Sequence, residues 1–264
     1  MALTESGYRR AAGPFFHRRR EHTQRLPASR FAVTSAMSDP MVAAVFAKHA
    51  PWVTRFRIGE HDYGGYFDAI NDPRLDSFCD AFPNARRILE LGSLEGGHTI
   101  GLAQRPGVEQ VLGIEGRAAN LARAQVIQEI LQVGNIDFVQ ANLEAIDLAH
   151  FGRFDAIYCC GLLYHLPEPW HLTAQFRSVA DGVFIWTHCS TEEAAQCLAA
   201  TYRGRWHEEG GPEEVLSGLS AKSFWPTLGS LCNMLTHAGF GRIHLLQNNL
   251  SHPNGPAVTL AAFV

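Results

Sequence analysis

From Arg87 to Ala103 the chain reads Arg-Ile-Leu-Glu-Leu-Gly-Ser-Leu-Glu-Gly-Gly-His-Thr-Ile-Gly-Leu-Ala, and few folds accommodate such a stretch. Ile88, Leu89 and Leu91 form the short apolar run that a buried parallel strand needs, and glycines follow at once at 92, 96 and 97. A strand therefore ends and a helix begins, through a turn in which the backbone bends sharply and a ligand approaches without a Cβ in the way. Glu90 stands two residues before the first glycine, at the carboxyl end of the strand. A carboxylate there repels a pyrophosphate and attracts an ammonium, so Glu90 is placed for the amino group of an amino-acid-like ligand.

The surrounding pattern extends this unit into a sheet. Strands are expected at 88–91, 110–114, 136–140, 154–159 and 182–186, alternating with helices at 96–103, at 118–131 with a stop at Gly134, and after Pro169. Pro226 is expected to open a further helix carried by Leu228, Leu231 and Leu235 and closed by Gly239, before an antiparallel pair at 242–246 and 257–264. The predicted fold is α/β, a doubly wound, seven-stranded, mostly parallel sheet spanning residues 85–264. Residues 31–84 are expected to form a helical cap, with helices near 39–50 and 75–82 and a Gly- and aromatic-rich loop at 57–67 in which Tyr63 or Tyr66 could shield a ligand. Residues 190–225 break the alternation with a mixture too rich in turn residues for one element, and are read as a substrate lid. Trp206, Glu208, Glu209, Phe224 and Trp225 in that lid suggest an acceptor pocket with aromatic walls and carboxylates.

Composition narrows the function classes. Hydrophobic residues at 46% and charged residues at 18% suit an ordinary globule of 264 residues, and no apolar window reaches the length of a membrane span. The net charge of -4 is uneven: residues 1–30 hold seven arginines against Glu5 and Glu21, a local +5 that leaves an acidic body. That basic segment is read as a solvated terminus dispensable for function, and the acidic remainder disfavours nucleic acid. Six cysteines without Cys-x-x-Cys spacing argue against zinc and disulfide frameworks, and thirteen histidines show no metal-ligand spacing. No metal is expected, and reduced cysteines without an export signal imply the cytoplasm.

Three further segments follow in order. Val111-Leu112-Gly113-Ile114-Glu115 puts a carboxylate at the end of the second strand, 23 residues past Gly92, where it suits both hydroxyls of an adenosine ribose. Gln140-Ala141-Asn142-Leu143-Glu144 follows the third strand, and Asp155-Ala156-Ile157-Tyr158-Cys159-Cys160-Gly161-Leu162-Leu163-Tyr164-His165-Leu166-Pro167 spans the fourth and the run after it. Together they resemble the class I S-adenosylmethionine-dependent methyltransferases, whose first motif is an acidic residue followed by Gly-x-Gly-x-Gly. Leu94 replaces the middle glycine of that motif, which also departs from the Gly-x-Gly-x-x-Gly of dinucleotide-binding proteins.

The resemblance implies S-adenosyl-L-methionine as cofactor, held by Glu90, Gly92, Ser93, Gly96 and Glu115, with Asn142 and Leu143 at the adenine and Cys160, Gly161 and Leu162 beside the methionine part. Tyr164 and His165 would border the methyl group, His165 as a general base, since a neutral imidazole takes a proton near neutral pH. The expected function is methyl transfer to a small organic acceptor, with O-, N- and C-methylation all open. Gly-Glu-His at 59–61, Gly-Gly-His-Thr at 96–99, Leu-Leu-Tyr-His-Leu at 162–166 and Ser-Phe-Trp-Pro-Thr at 223–227 are similar in part to a subgroup that includes the tRNA wobble-uridine carboxymethyltransferases. A tRNA-modifying enzyme is therefore one alternative. A non-catalytic S-adenosylmethionine-binding protein and a nicotinamide-dependent oxidoreductase are the others. The oligomeric state is not readable from the sequence.

Overall fold

The computed structural model describes residues 37–211 and 214–264; the basic segment 1–30 and the first residues of the cap lie outside them. Helix α1 (Asp39–Lys48) has Pro40 in its first turn and buries Val42 and Phe46, one helical turn apart. Strands β1 (Arg55–Ile58) and β2 (His61–Gly64) then pair antiparallel. Helix α2 (Pro73–Ala81) starts at Asp72, whose side chain accepts from the Arg74 amide. The alternating region runs β3 (Arg87–Leu91), α3 (Gly97–Ala103), β4 (Gln110–Glu115), α4 (Ala118–Leu131), β5 (Ile136–Gln140), β6 (Ala156–Cys160), α5 (Pro169–Thr173), α6 (Phe176–Val179) and β7 (Gly182–His188). The lid region contributes β8 (Cys197–Ala199), β9 (Tyr202–Glu208) and β10 (Lys222–Pro226), and α7 (Leu228–His237), β11 (Arg242–Asn249) and β12 (Ala257–Phe263) close the chain.

The seven-stranded sheet has the order β11-β12-β7-β6-β3-β4-β5, parallel except for the pairs made by β12. The chain leaves β3 toward β5 on one side and returns as β6 and β7 on the other, so a crevice opens at the carboxyl ends of β3 and β6, where such sheets bind ligands. Alternate side chains serve opposite layers. Leu89, Leu91, Ile157, Cys159 and Ile185 pack with Phe176 and Leu231, while Ile88, Val111, Tyr158, Cys160 and Phe184 pack with Ile100 and Ile127. Val42, Phe46, Phe56, Leu75 and Phe78 of the N-terminal region belong to that second layer, so the cap completes the core.

Four expectations need correction. The segment read as a loop at 57–67 holds the end of one strand and the second strand of a hairpin, because Phe56 and Ile58 point inward, Arg55 and Arg57 face out, and 61–64 pair against them. Residues 190–225, read as a lid, hold mainly a three-stranded antiparallel sheet, order β10-β9-β8, and only Pro212 and Glu213 among them fall outside the described residues. Pro226 ends β10, and the helix starts after Thr227, whose hydroxyl accepts from the Ser230 amide. Helix α4 is closed by Gln132 in a left-handed conformation, φ 51°, before Gly134 is reached. All six cysteines are free, and no helix among the described residues is long and apolar enough to cross a membrane.

Candidate functional site

A cavity of about 300 Å³ lies where the carboxyl ends of β3, β4, β5 and β6 converge, lined also by residues 53, 54, 66, 67 and 69 of the N-terminal region and 215–219 of the segment before β10. The turn after β3 forms its floor. Gly92 has φ 80°, and a Cβ there would stand 3.3 Å from Leu162, which also lines the cavity. Leu94 holds a left-handed φ of 50° without being glycine. Its amide donates to Glu115 Oε2 at 2.8 Å, so the carboxylate that ends β4 also fixes the turn beside it. The Arg117 amide donates to Glu115 Oε1 at 2.8 Å and Asn120 Nδ2 reaches the same oxygen at 3.4 Å. Burial raises the Glu115 carboxyl above its ordinary range, against the pull of the amides of Arg117 and Leu94.

Gly92, Ser93, Glu115, Asn142, Leu143, Cys160, Gly161, Leu162, Tyr164 and His165 all line this cavity. Glu90 and Gly96 do not. Glu90 is buried behind the wall, accepts from Thr99 Oγ1, and lies 3.9 Å from His98 Nδ1; burial pushes its carboxyl up to about 8. A Cβ on Gly96 would meet Phe138 at 2.9 Å and Ala124 at 3.0 Å, so this glycine lets the turn pack against β5 and α4. Ser93 Oγ is buried with no hydrogen-bond partner among the described residues, and Asn142 Oδ1 accepts from the Glu144 amide at 3.0 Å. Of the two cap tyrosines, Tyr66 lines the cavity while Tyr63 stacks on Phe46 at 5.1 Å.

Several side chains at the site escaped the sequence reading. Arg74 lines the cavity with its guanidinium 4.6 Å from the Trp186 ring and is held by Asp72, to which Nε donates at 3.0 Å. His98 Nε2 lies 3.1 Å from the same carboxylate. Burial alone would raise Asp72, but its bonds to His98 and Arg74 outweigh that and hold it well below the ordinary range. Glu95, inside the glycine turn, is completely buried and accepts from the amides of Val53, at 3.0 Å, and Thr54, at 2.6 Å. The helix expected from residue 75 starts instead at Pro73 behind the Asp72 cap, so that local signal was missed, whereas Glu95 carried none, since its partners lie 41 and 42 residues away.

His165 sits in a short 3-10 turn after β6, and its Nδ1 lies 3.1 Å and 3.2 Å from the two carboxylate oxygens of Glu209 in the lid. Glu209 also accepts from Ser217 Oγ at 2.8 Å and the Gly218 amide at 2.6 Å. Burial would raise this carboxyl, but the bonds from His165 and the Gly218 amide bring it down to about 2. Beside a carboxylate, Nδ1 must carry the proton, which leaves Nε2 as the basic nitrogen, with no partner among the described residues. Of the other lid residues singled out, Trp225 lies 6.0 Å from the Tyr164 ring. Trp206 and Phe224 turn to the opposite side and pack in the core, and Glu208 is exposed. His188, at the end of β7, packs 4.6 Å from Tyr164 and is directed by backbone carbonyls at Gly255 and Pro256.

Comparison with known proteins points the same way. Residues 88–183 match a family model described as a methyltransferase domain. The N-terminal domain of EvdMO1, solved in the presence of SAH and D-fucose, is 33% identical, with a TM-score of 0.78 over 86% of this chain and 97% of that one. Against the longer EvdMO1 chain the identity is 31% and the TM-score 0.69, and the chain spans about half of it, 49%. A tRNA U34 carboxymethyltransferase of Sulfurimonas denitrificans is 24% identical over 135 residues, 49% of this chain and 37% of that protein.

Proposed function

Because this chain belongs to the class I S-adenosylmethionine-dependent methyltransferases, we propose that it methylates a hydroxyl of a small organic acceptor, a sugar, with His165 as general base. The observation that carries the proposal is the His165–Glu209 pair at the cavity wall. The cavity fits the cofactor: it offers a glycine floor that a side chain would fill, a carboxylate on β4, an amide side chain after β5 and a guanidinium at the cap. In this reading Glu115 accepts from the ribose hydroxyls, Asn142 and Leu143 border the adenine, and Gly92 and Ser93 lie against the amino-acid part. Cys160, Gly161 and Leu162 flank that part, and Arg74 faces its carboxylate. Glu90 acts from behind the wall on the ammonium, through water, and Gly96 serves the turn. S-adenosylmethionine supplies an electrophilic methyl on a sulfonium sulfur and leaves as the thioether S-adenosylhomocysteine.

The chain's own contribution is alignment and one proton transfer. Glu209 fixes the His165 ring and its tautomer, and Nε2 takes the proton from the acceptor hydroxyl as the O–C bond forms. Tyr164, beside His165 at a ring distance of 4.1 Å, limits the space on that side. The sugar class is supported by the EvdMO1 domain solved with SAH and D-fucose. The test is incubation with S-adenosylmethionine and D-fucose, with total tRNA in parallel, followed by mass spectrometry for a single added methyl. His165→Gln should lose roughly 100- to 10,000-fold in turnover while binding S-adenosylhomocysteine as wild type does. Undiminished turnover in that variant, or methylation of tRNA alone, overturns the proposal.

A further inference from the structure

One face of the lid sheet meets the site without lining the cofactor cavity. The pairing of β9 with β10 sets Arg205 opposite Trp225. Directly opposed residues share a face and alternate residues point the same way, so Arg205, His207, Glu209 and Trp225 lie on the side that reaches His165. Trp225 is only 3% exposed, yet its Nε1 has no acceptor among the described residues. A buried indole N–H ordinarily has one.

The surroundings indicate what that acceptor is. His188 stacks on the Trp225 ring at 5.0 Å and 11°, His207 lies 4.6 Å from it, and the Arg205 guanidinium stands over it at 4.2 Å. The indole faces are thus taken, and the ring is no platform for a sugar. What is left unmatched is its N–H edge and the guanidinium fork. Arg203, two residues earlier on the strand, is paired with Glu192 at 3.0 Å, but Arg205 has neither an ion pair nor a hydrogen bond among the described residues. Glu209, the carboxylate on this face, is committed to His165, Ser217 and Gly218. A donor-only set around a permanent cation suits an anion.

We propose that this patch is the subsite for an anionic group on the acceptor, a phosphate or a carboxylate, held by Arg205 and Trp225 Nε1 while the acceptor hydroxyl lies at His165. The inference rests on the methyltransferase reading above and deepens it. Arg205 precedes Glu209 by four residues, about 13 Å along a strand at ~3.3 Å per residue. A sugar ring with a charged substituent on its far side, together with two side-chain reaches, bridges that span.

The experiment is calorimetric titration of the intact chain, loaded with S-adenosylhomocysteine, with D-fucose, D-fucose 1-phosphate and D-galacturonate. The expected result is that at least one anion binds about tenfold or more tighter than the neutral sugar, the tighter one identifying the source of the charge. Arg205→Gln should remove that advantage, Arg205→Lys should keep part of it, and Trp225→Phe should weaken it by deleting the N–H alone. Unchanged S-adenosylhomocysteine affinity certifies that each variant is folded. If that product fails to bind the wild-type protein, the methyltransferase reading falls and this inference with it. If it binds but the anions gain nothing over D-fucose, or keep their advantage in Arg205→Gln, the subsite alone is overturned.

Discussion

Glu95 joins the cap to the cofactor turn, and its removal has a calculable cost. The side chain is fully buried, its oxygens take the amides of Val53 and Thr54, and Arg123 Nε is 3.9 Å away. Glu95→Ala strands two backbone N–H groups, each costing roughly 1–3 kcal/mol if it stays buried. The sum, about 2–6 kcal/mol, is an upper range, because the segment can swing out to water and recover those bonds. The expected loss in urea unfolding is therefore about 2–3 kcal/mol, roughly one and a half to two orders of magnitude in the folded-to-unfolded ratio. Glu95→Gln keeps one acceptor oxygen but turns an amide donor toward another donor, so it should fall between Ala and wild type. Val53 and Thr54 also line the cavity, so calorimetry should show S-adenosylhomocysteine affinity falling together with stability. An alanine variant that unfolds at the wild-type urea concentration and binds equally well would refute the argument that this carboxylate holds the cap.

Two further outcomes follow from the same wall of the site. Burial lifts Glu90 to about 8 against an ordinary 4.5, so between those pH values the folded protein keeps a proton that the unfolded chain has lost, and this group's contribution to stability falls as pH rises through the window. A nearby ammonium favours the carboxylate, so binding S-adenosylhomocysteine at pH 7 should release a proton, read by calorimetry in two buffers of different ionisation enthalpy; buffer-independent heats would exclude it. Leu94 holds φ 50°, a conformation costing a non-glycine residue about 1–2 kcal/mol, whereas glycine adds freedom to the unfolded chain. Leu94→Gly should thus gain up to about 1 kcal/mol in urea unfolding, and a clear loss would show that the leucine side chain's packing dominates.

The alternating half of the chain was legible because each element there carries its own signal. The 88–91 run, the glycines behind it and the 118–131 periodicity are local, and burial on both faces makes the parallel strands read as continuous apolar runs. The hairpin at 55–64 and the lid sheet were not legible, because they are short, half-exposed and interrupted by glycine, so composition alone resembles a loop. The site divides similarly. The lining residues named from the sequence follow strand ends, and strand ends are visible in sequence. Glu95 and Arg74 carried no such signal, and Glu209, singled out only as an acceptor-pocket carboxylate, pairs with a histidine 44 residues earlier, which no local pattern reveals.

The proposed base and the carboxylate that orients it come from two structural layers. His165 follows a core strand every residue of which is buried. Glu209 stands just past the end of β9, and its other bonds, to Ser217 and the Gly218 amide, belong to the same lid. Glu209 is therefore held by its own segment, which is tied to the body by Ser220 to Glu144 and Phe224 to Leu166, and it meets the histidine across that boundary. Segment 215–219 lines the cofactor cavity from that lid, and Arg205 and Trp225 face the acceptor side of the same sheet. On the proposed mechanism, one rigid piece covers the cofactor, positions the acceptor and fixes the tautomer of the base. Tyr202 and Phe224 bury that sheet in the core, so the carboxylate stands at the histidine as part of the folded frame and the pair is aligned in advance.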